Sequence, residues 1–275
     1  KAVLKHFNVE YVIDDKRKEF EFLYSKVDDN FLENITLRDY QVNYINQALK
    51  NKRGVIPSAT GSGKTNVMIG ILKALPPNTP TLILVNKKQL VEQNYEEIMK
   101  FNIQNVGRFH GDVKEPNIIT CATVQSAHLL ENLLPKIQVL IVDEIHEMMS
   151  KTPKRIYGKL KNASVRIGMS ATAFKFGGKD KEQKYEVKGW IGPLFASNAA
   201  DGGKLTTKEL IGREILSTAD CTFYRITEPK LPYLVYLDAI TQGYCGKFLF
   251  SPNCCKSCEK VKRAYTNYRR TIGPW

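Results

Sequence analysis

Between Gly54 and Ala173 the chain repeats one alternation. GVIPS precedes KTNVMIGILKAL, TLILV precedes KKQLVEQNYEEIMKF, NIITC precedes ATVQSAHLLENLL, VLIVD precedes EIHEMM, and VRIGMS closes the series. Each short run is continuously apolar and rich in β-branched residues, the pattern of a strand buried on both faces. Strands separated by helical stretches need crossover connections, which are right-handed and place helices over both sides of a parallel sheet. The expected fold is therefore α/β: a three-layer sandwich with a mostly parallel sheet.

The flanks are less regular. Within residues 1–36, EYVIDD, the charged turn DKRK and EFEFLYS read as two strands of a hairpin. The charged, glycine-punctuated stretch KFGGKDKEQKYEVKGW reads as a loop with one strand over YEVKGW. From Leu205 to Pro232 strand and helix pieces mix without clear punctuation. The chain starts at Lys1 rather than Met, so a preceding portion is expected. The expected division is an N-terminal α+β element over 1–36, a nucleotide-binding domain over 37–240, and a basic, cysteine-rich tail over 241–275.

Composition narrows the partners. No run of eighteen apolar residues and no hydrophobic signal core occur, so the expectation is a cytoplasmic protein with no membrane partner. The net charge of +13 is weighted toward the C-terminal half. Such a surplus favours a polyanion, nucleic acid first, because neutralised phosphates release counterions. Nothing in the residues selects DNA over RNA. Of six cysteines, Cys245, Cys254, Cys255 and Cys258 crowd together, which is no disulfide framework. Cys255-Lys256-Ser257-Cys258 has CxxC spacing, and zinc is one reading of that cluster. A truncated end and the first strand and helix of another domain are the others.

Two motifs carry chemistry. In Ala59-Thr60-Gly61-Ser62-Gly63-Lys64-Thr65 the glycines let backbone amides turn around phosphate oxygens, and the following helix presents its positive end. Lys64 is placed to reach the β- and γ-phosphates and Thr65 to put its hydroxyl on Mg²⁺. Ser58 occupies the first-glycine position of the general form. The second motif, VLIVDEIHE, delivers Asp143 and Glu144 to the C-terminal end of a strand, where ligands of open α/β sheets bind. There Asp143 suits a Mg²⁺ ion and Glu144 an attacking water.

Asp143-Glu144-Ile145-His146 resembles the DExH box of superfamily-2 helicases, and Ala59–Thr65 resembles their AxxGxGKT motif. Leu37-Arg38-Asp39-Tyr40-Gln41 resembles their adenine-recognition element, Leu84–Gln93 and Ala122–Ser126 their strand-contacting motifs Ia and Ib, and Ser170-Ala171-Thr172 their motif III. LRDYQ, DEIHE and GMSAT are most similar to the phage recombination helicases of the UvsW group, which are branch-migration enzymes.

The resemblance implies a RecA-like P-loop domain that uses ATP and Mg²⁺ and acts on branched or forked DNA. It implies that Arg38 and Gln41 read the adenine, with Tyr40 a core residue. His146, Ser170 and Thr172 would couple nucleotide state to domain movement, and Lys87, Thr123 and Gln125 would touch the nucleic-acid backbone. It also implies a second RecA-like domain carrying an arginine motif, which no residues after Thr172 match. Arginine fingers contribute about 10³ to 10⁵ in rate, so the chain as given is expected to bind ATP and hydrolyse it poorly. His6, His110 and His128 have no nucleophile beside them and are expected to be structural or surface residues.

Overall fold

The structure, a computed structural model, describes residues 10, 20–171, 180–196 and 206–217. All of them lie in a compact unit spanning Lys1–Thr218.

Helix α1 (Asp39–Asn51) leads into β1 (Arg53–Pro57). There follow α2 (Lys64–Ala74), β2 (Thr81–Val85), α3 (Lys88–Met99), β3 (Val106–Phe109), β4 (Lys114–Glu115), β5 (Ile119–Thr123), α4 (Val124–Ala127), β6 (Val139–Val142), α5 (Lys151–Lys159), β7 (Val165–Ser170), α6 (Asp180–Trp190) and α7 (Thr207–Gly212). The strands lie in the order β1-β7-β6-β2-β5-β3-β4. Every pairing is parallel except β3 with β4.

The sheet is covered on both faces, as continuous apolar strands require. Ile83 and Val85 of β2 point into a core with Tyr40, Tyr44, Ile45 and Ile69, while Leu82 and Leu84 point into the opposite core with Ile145, Ile156 and Tyr157. Because all long strands run the same way, the residues that follow Pro57, Val85, Thr123, Val142 and Ser170 converge on one edge. Strand β7 sits between β1 and β6, so Ser170 ends between the glycine-rich loop and Asp143.

Four expectations are corrected. EFEFLYS forms no strand over 20–25. Phe20, Phe22 and Tyr24 instead pack sideways on the core, and Tyr24 Oη donates to Asn46 Oδ1 of α1. YEVKGW is the end of helix α6, because Val187 and Ile191, one helical turn apart, are both fully buried and set a helical rather than alternating period. EIHEMM is only a 3₁₀ turn over Ile145–Glu147, and the helix comes later, at α5. ATVQSAHLLENLL is α-helical only over Val124–Ala127, and its last residue opens a 3₁₀ turn over Leu134–Lys136. The hairpin residues 11–19 and the tail from 218, with Cys245, Cys254, Cys255, Cys258 and the zinc reading, lie outside the described residues, as does His6.

Arg166 fixes the far end of the sheet. Its buried guanidinium donates to the carbonyls of Ala163, Tyr157, Leu160 and Trp190, collecting the ends of α5 and α6. No helix among the described residues is long and apolar enough to cross a membrane.

Candidate nucleotide site

The glycine-rich loop is held from its base and from behind. The Ser58 N–H donates to Ser170 O at 3.1 Å, tying the loop to β7, and Ser58 Oγ donates to Ser62 Oγ at 2.6 Å. Serine in place of the first glycine thus links the two ends of the turn, with both side chains buried. Gly61 and Gly63 have φ of +80° and +78°, a region open to glycine at little cost. Helix α2 starts at Lys64, so its free N–H groups face the loop's concave side.

Helix α1 grips the loop's outer side. Tyr40 Oη donates to Ser62 O at 2.8 Å, and Gln41 Nε2 donates to Ser62 O and Gly63 O at 3.1 and 3.3 Å. Gln41 Oε1 accepts from the Arg38 N–H at 2.9 Å, capping α1. Tyr40 is fully buried, as expected of a core residue, yet its hydroxyl also pins the loop. Burial raises its pKa above the ordinary tyrosine value.

Across the edge, β6 presents the two acids. Asp143 Oδ1 accepts from the Glu144 N–H at 2.9 Å. Burial pushes the Asp143 carboxyl above its ordinary range, against a smaller lowering by Lys64. Glu144 adopts the left-handed conformation, φ 46° and ψ 54°, which non-glycine residues hold only at a cost. That twist turns its carboxylate to Lys64, with Nζ–Oε1 at 2.8 Å. Glu144 Oε2 is buried, stands 3.3 Å from His146 Nδ1, and has no hydrogen-bond partner among the described residues. His146 Nδ1 also lies 2.8 Å from Ser170 Oγ, which links the acidic turn to β7.

An open cleft of about 450 Å³ lies beside these groups, its lining including Thr60, Asn86, Lys87, Glu144, His146 and Glu147. Asn86 Nδ2 donates to Glu147 Oε2, joining the end of β2 to the acidic turn.

Of the expected residues, Lys64, Glu144 and Asp143 form one hydrogen-bonded set, and His146, Ser170, Ser62, Gln41 and Gly63 are linked in a second through Ser58, with the 3.3 Å approach of His146 Nδ1 to Glu144 Oε2 between the two. Ala59 is buried beneath the loop, Thr60 is exposed at the cleft, and Thr65 is half-buried at the start of α2. The Arg38 guanidinium makes a long contact to Tyr40 Oη, 3.4 Å. Lys87 lines the cleft, Gln125 is exposed, and Thr123 is buried at the end of β5. Thr172 lies outside the described residues. Asn86 and Glu147 were not singled out in the sequence, since a polar residue after a strand is ordinary there. His110 is structural, as expected: it is buried and its Nε2 lies 2.6 Å from Glu92 Oε1.

An amide-lined turn, a lysine and an acidic strand end at the C-terminal edge of a covered parallel sheet define a first RecA-like domain of the superfamily-2 helicase kind. The chain belongs to the family described as type III restriction enzyme, res subunit, which matches residues 34–175. The DNA 3'-5' translocase XPB2 of Sulfurisphaera tokodaii is 33% identical over 215 residues, covering 74% of this chain and 47% of its own length. A Rad25-type protein of Haloarcula marismortui is 27% identical over 214 residues, 72% of this chain and 33% of its own. The chain thus spans less than half the length of these relatives. In fold it matches the crystal structure of the UvsW helicase from bacteriophage T4, with TM-score 0.53 and 17% identity over 70% of this chain and 75% of that one.

Proposed function

We propose that this chain carries the ATP-binding half of a superfamily-2 DNA helicase or translocase. Its substrate on this reading is branched or forked DNA met in recombination, replication or repair. The observation that carries the reading is the convergence of Lys64 and Glu144, contributed by elements 80 residues apart, at 2.8 Å.

In this role the loop amides and Lys64 bind the phosphates. Glu144 positions and deprotonates the attacking water, and the His146–Ser170 contact reports the state of the site to β7. Arg38 and Gln41 border the adenine, while Lys87, Thr123 and Gln125 border the polymer backbone. Asp143 and Thr65 are the residues that would hold Mg²⁺. The partly buried Asp143 carboxyl and the Glu144 Oε2 that has no hydrogen-bond partner among the described residues are oxygen donors of the kind a hard cation takes. No group of three His, Cys, Asp or Glu side chains suited to a metal occurs among the described residues. That fits an ion ligated largely by phosphate and water. When bound, it neutralises charge on the phosphoryl group.

The XPB2 relative, named as a DNA translocase, supports the DNA reading. The family description supports a second one, the motor subunit of a restriction system, which would need a nuclease or methyltransferase companion.

The test is equilibrium binding of a fluorescent ATP analogue to the 275-residue chain with Mg²⁺. It should bind, and Lys64→Ala should weaken binding by about tenfold to a hundredfold. Forked DNA should also bind, with affinity falling steeply as salt rises. Nucleotide binding indifferent to Lys64→Ala would sink the reading.

A further inference from the structure

The segment Thr206–Ser217 carries no nucleotide motif, yet it packs on both elements assigned to the nucleotide. Thr206 Oγ1 accepts from the Glu209 N–H at 3.2 Å and starts helix α7, whose Leu210 is fully buried. The helix ends by reversing: Glu214 takes φ 57°, and the N–H groups of Ile215 and Leu216 both return to Leu210 O. The reversal lays the segment over the start of α1. Arg213 Nη1 contacts Asp39 Oδ1 and Oδ2 at 3.3 and 3.2 Å, between Arg38 and Tyr40 in sequence, while its Nη2 donates to Glu209 Oε1.

Leu216 then presses on the glycine-rich loop. A β-carbon built on Gly61 would come within 2.7 Å of Leu216 Cδ2, just as one built on Gly63 would come within 2.4 Å of Gln41 Nε2. Each left-handed glycine thus has one side chain standing where its β-carbon would go, Gln41 of the adenine-recognition element at Gly63 and Leu216 of this downstream segment at the otherwise exposed Gly61. Leu216 is half-buried and is not part of the cleft lining where Thr60, Glu144 and His146 gather. An apolar side chain offers nothing to a polyanion, but it suits the flat face of a base.

We propose that Leu216, clamped in place by the Arg213–Asp39 ion pair, is a base-side contact of the nucleoside triphosphate. The segment Thr206–Ser217 forms the surface on which purine and ribose pack while the loop holds the phosphates. This rests on the nucleotide reading given above.

The test compares Mg-ATP with Mg-tripolyphosphate, which has the phosphates and no base, on the 275-residue chain by calorimetry. Leu216→Ala should weaken ATP about fivefold, the order expected for a few lost methylene contacts, and leave tripolyphosphate within about twofold. Arg213→Ala should show the same selectivity with a smaller loss, and it guards against a folding defect in the first variant. Equal weakening of both ligands would overturn the proposal by making the segment a mere support of the loop. Tighter binding of both would overturn it by making the segment a plug. Unchanged affinities in well-folded variants would also overturn it. Wild-type chain that binds neither ligand would overturn the nucleotide reading itself, and this proposal with it.

Discussion

Lys64 Nζ and Glu144 Oε1 stand 2.8 Å apart, with only 13% and 25% of their side chains exposed. The amine assigned to phosphate and the carboxylate assigned to water thus hold each other in register across the sheet's edge. On the proposed reading, removing the amine takes away the one lysine charge aimed at the β- and γ-phosphates and leaves the loop amides and the metal. Lys64→Ala should therefore weaken ATP by about tenfold to a hundredfold, the worth of a charged hydrogen bond. Glu144→Gln releases the amine without removing it. ATP affinity should hold or tighten, while any turnover falls about a hundredfold or more through loss of the base. Binding titrations and phosphate release separate the two variants. Equal loss of binding in both would contradict the division of labour.

The backbone at Glu144 gives a cleaner comparison. Glu144→Ala and Glu144→Gly both lose the ion pair, so their difference isolates the left-handed φ of 46°. The glycine variant should be more stable by about 1 kcal/mol, since only the alanine keeps a β-carbon in that conformation. Denaturant unfolding of the two proteins measures it.

Most of the sheet was legible because buried parallel strands need nothing but local apolar runs, as TLILV and VLIVD show. That the glycine-rich loop and Asp143-Glu144 would meet at one edge was legible for a similar reason, since each is a short run of fixed residue types at a strand end. Helix α6 was not, because its burial signal is carried by Val187 and Ile191 amid charged residues, and YEVKGW alone looks alternating. Nor were the contacts that tune the site. Tyr40 on Ser62 O, Asn86 on Glu147 and Leu216 on Gly61 join residues that no spacing rule connects, and only the fold brings them together.

Gln41 distinguishes two kinds of work. Its Nε2 faces two carbonyl oxygens, so Gln41→Glu would set a carboxylate against Ser62 O and Gly63 O, whereas Gln41→Ala only removes donors. The glutamate variant should melt lower than the alanine variant, itself destabilised by roughly 1–3 kcal/mol for the unsatisfied groups. If Gln41 serves the loop as well as the base, tripolyphosphate affinity should fall along with ATP affinity in both.

Away from the nucleotide, Glu92 sets an acid-sensitive point. The His110 hydrogen bond, reinforced by Arg108, holds its carboxyl below the ordinary 4.5. A lowered folded pKa contributes stability that is present above the unfolded value and lost as pH falls through the folded one. Glu92→Gln should therefore flatten the stability curve below about pH 4.5. Thermal melts across pH 3–7 test this, and an unaltered acid limb would show that the cluster contributes nothing there.

Asp143 should behave in the opposite way. Burial raises its folded pKa, so the unfolded chain ionises first as pH rises, and stability declines between the unfolded and folded values. At neutral pH the ionised carboxylate is a cost that Lys64 offsets only in part. Asp143→Asn removes the charge yet keeps an oxygen to accept the Glu144 N–H. The variant should therefore melt a few degrees higher than the wild type. It should also lose about ten- to a hundredfold in Mg-dependent ATP affinity, the range seen when a metal loses a supporting group. A variant that gains stability while losing the ligand would show that this carboxylate is kept for magnesium and not for the fold. One that melts lower would assign it to the fold instead.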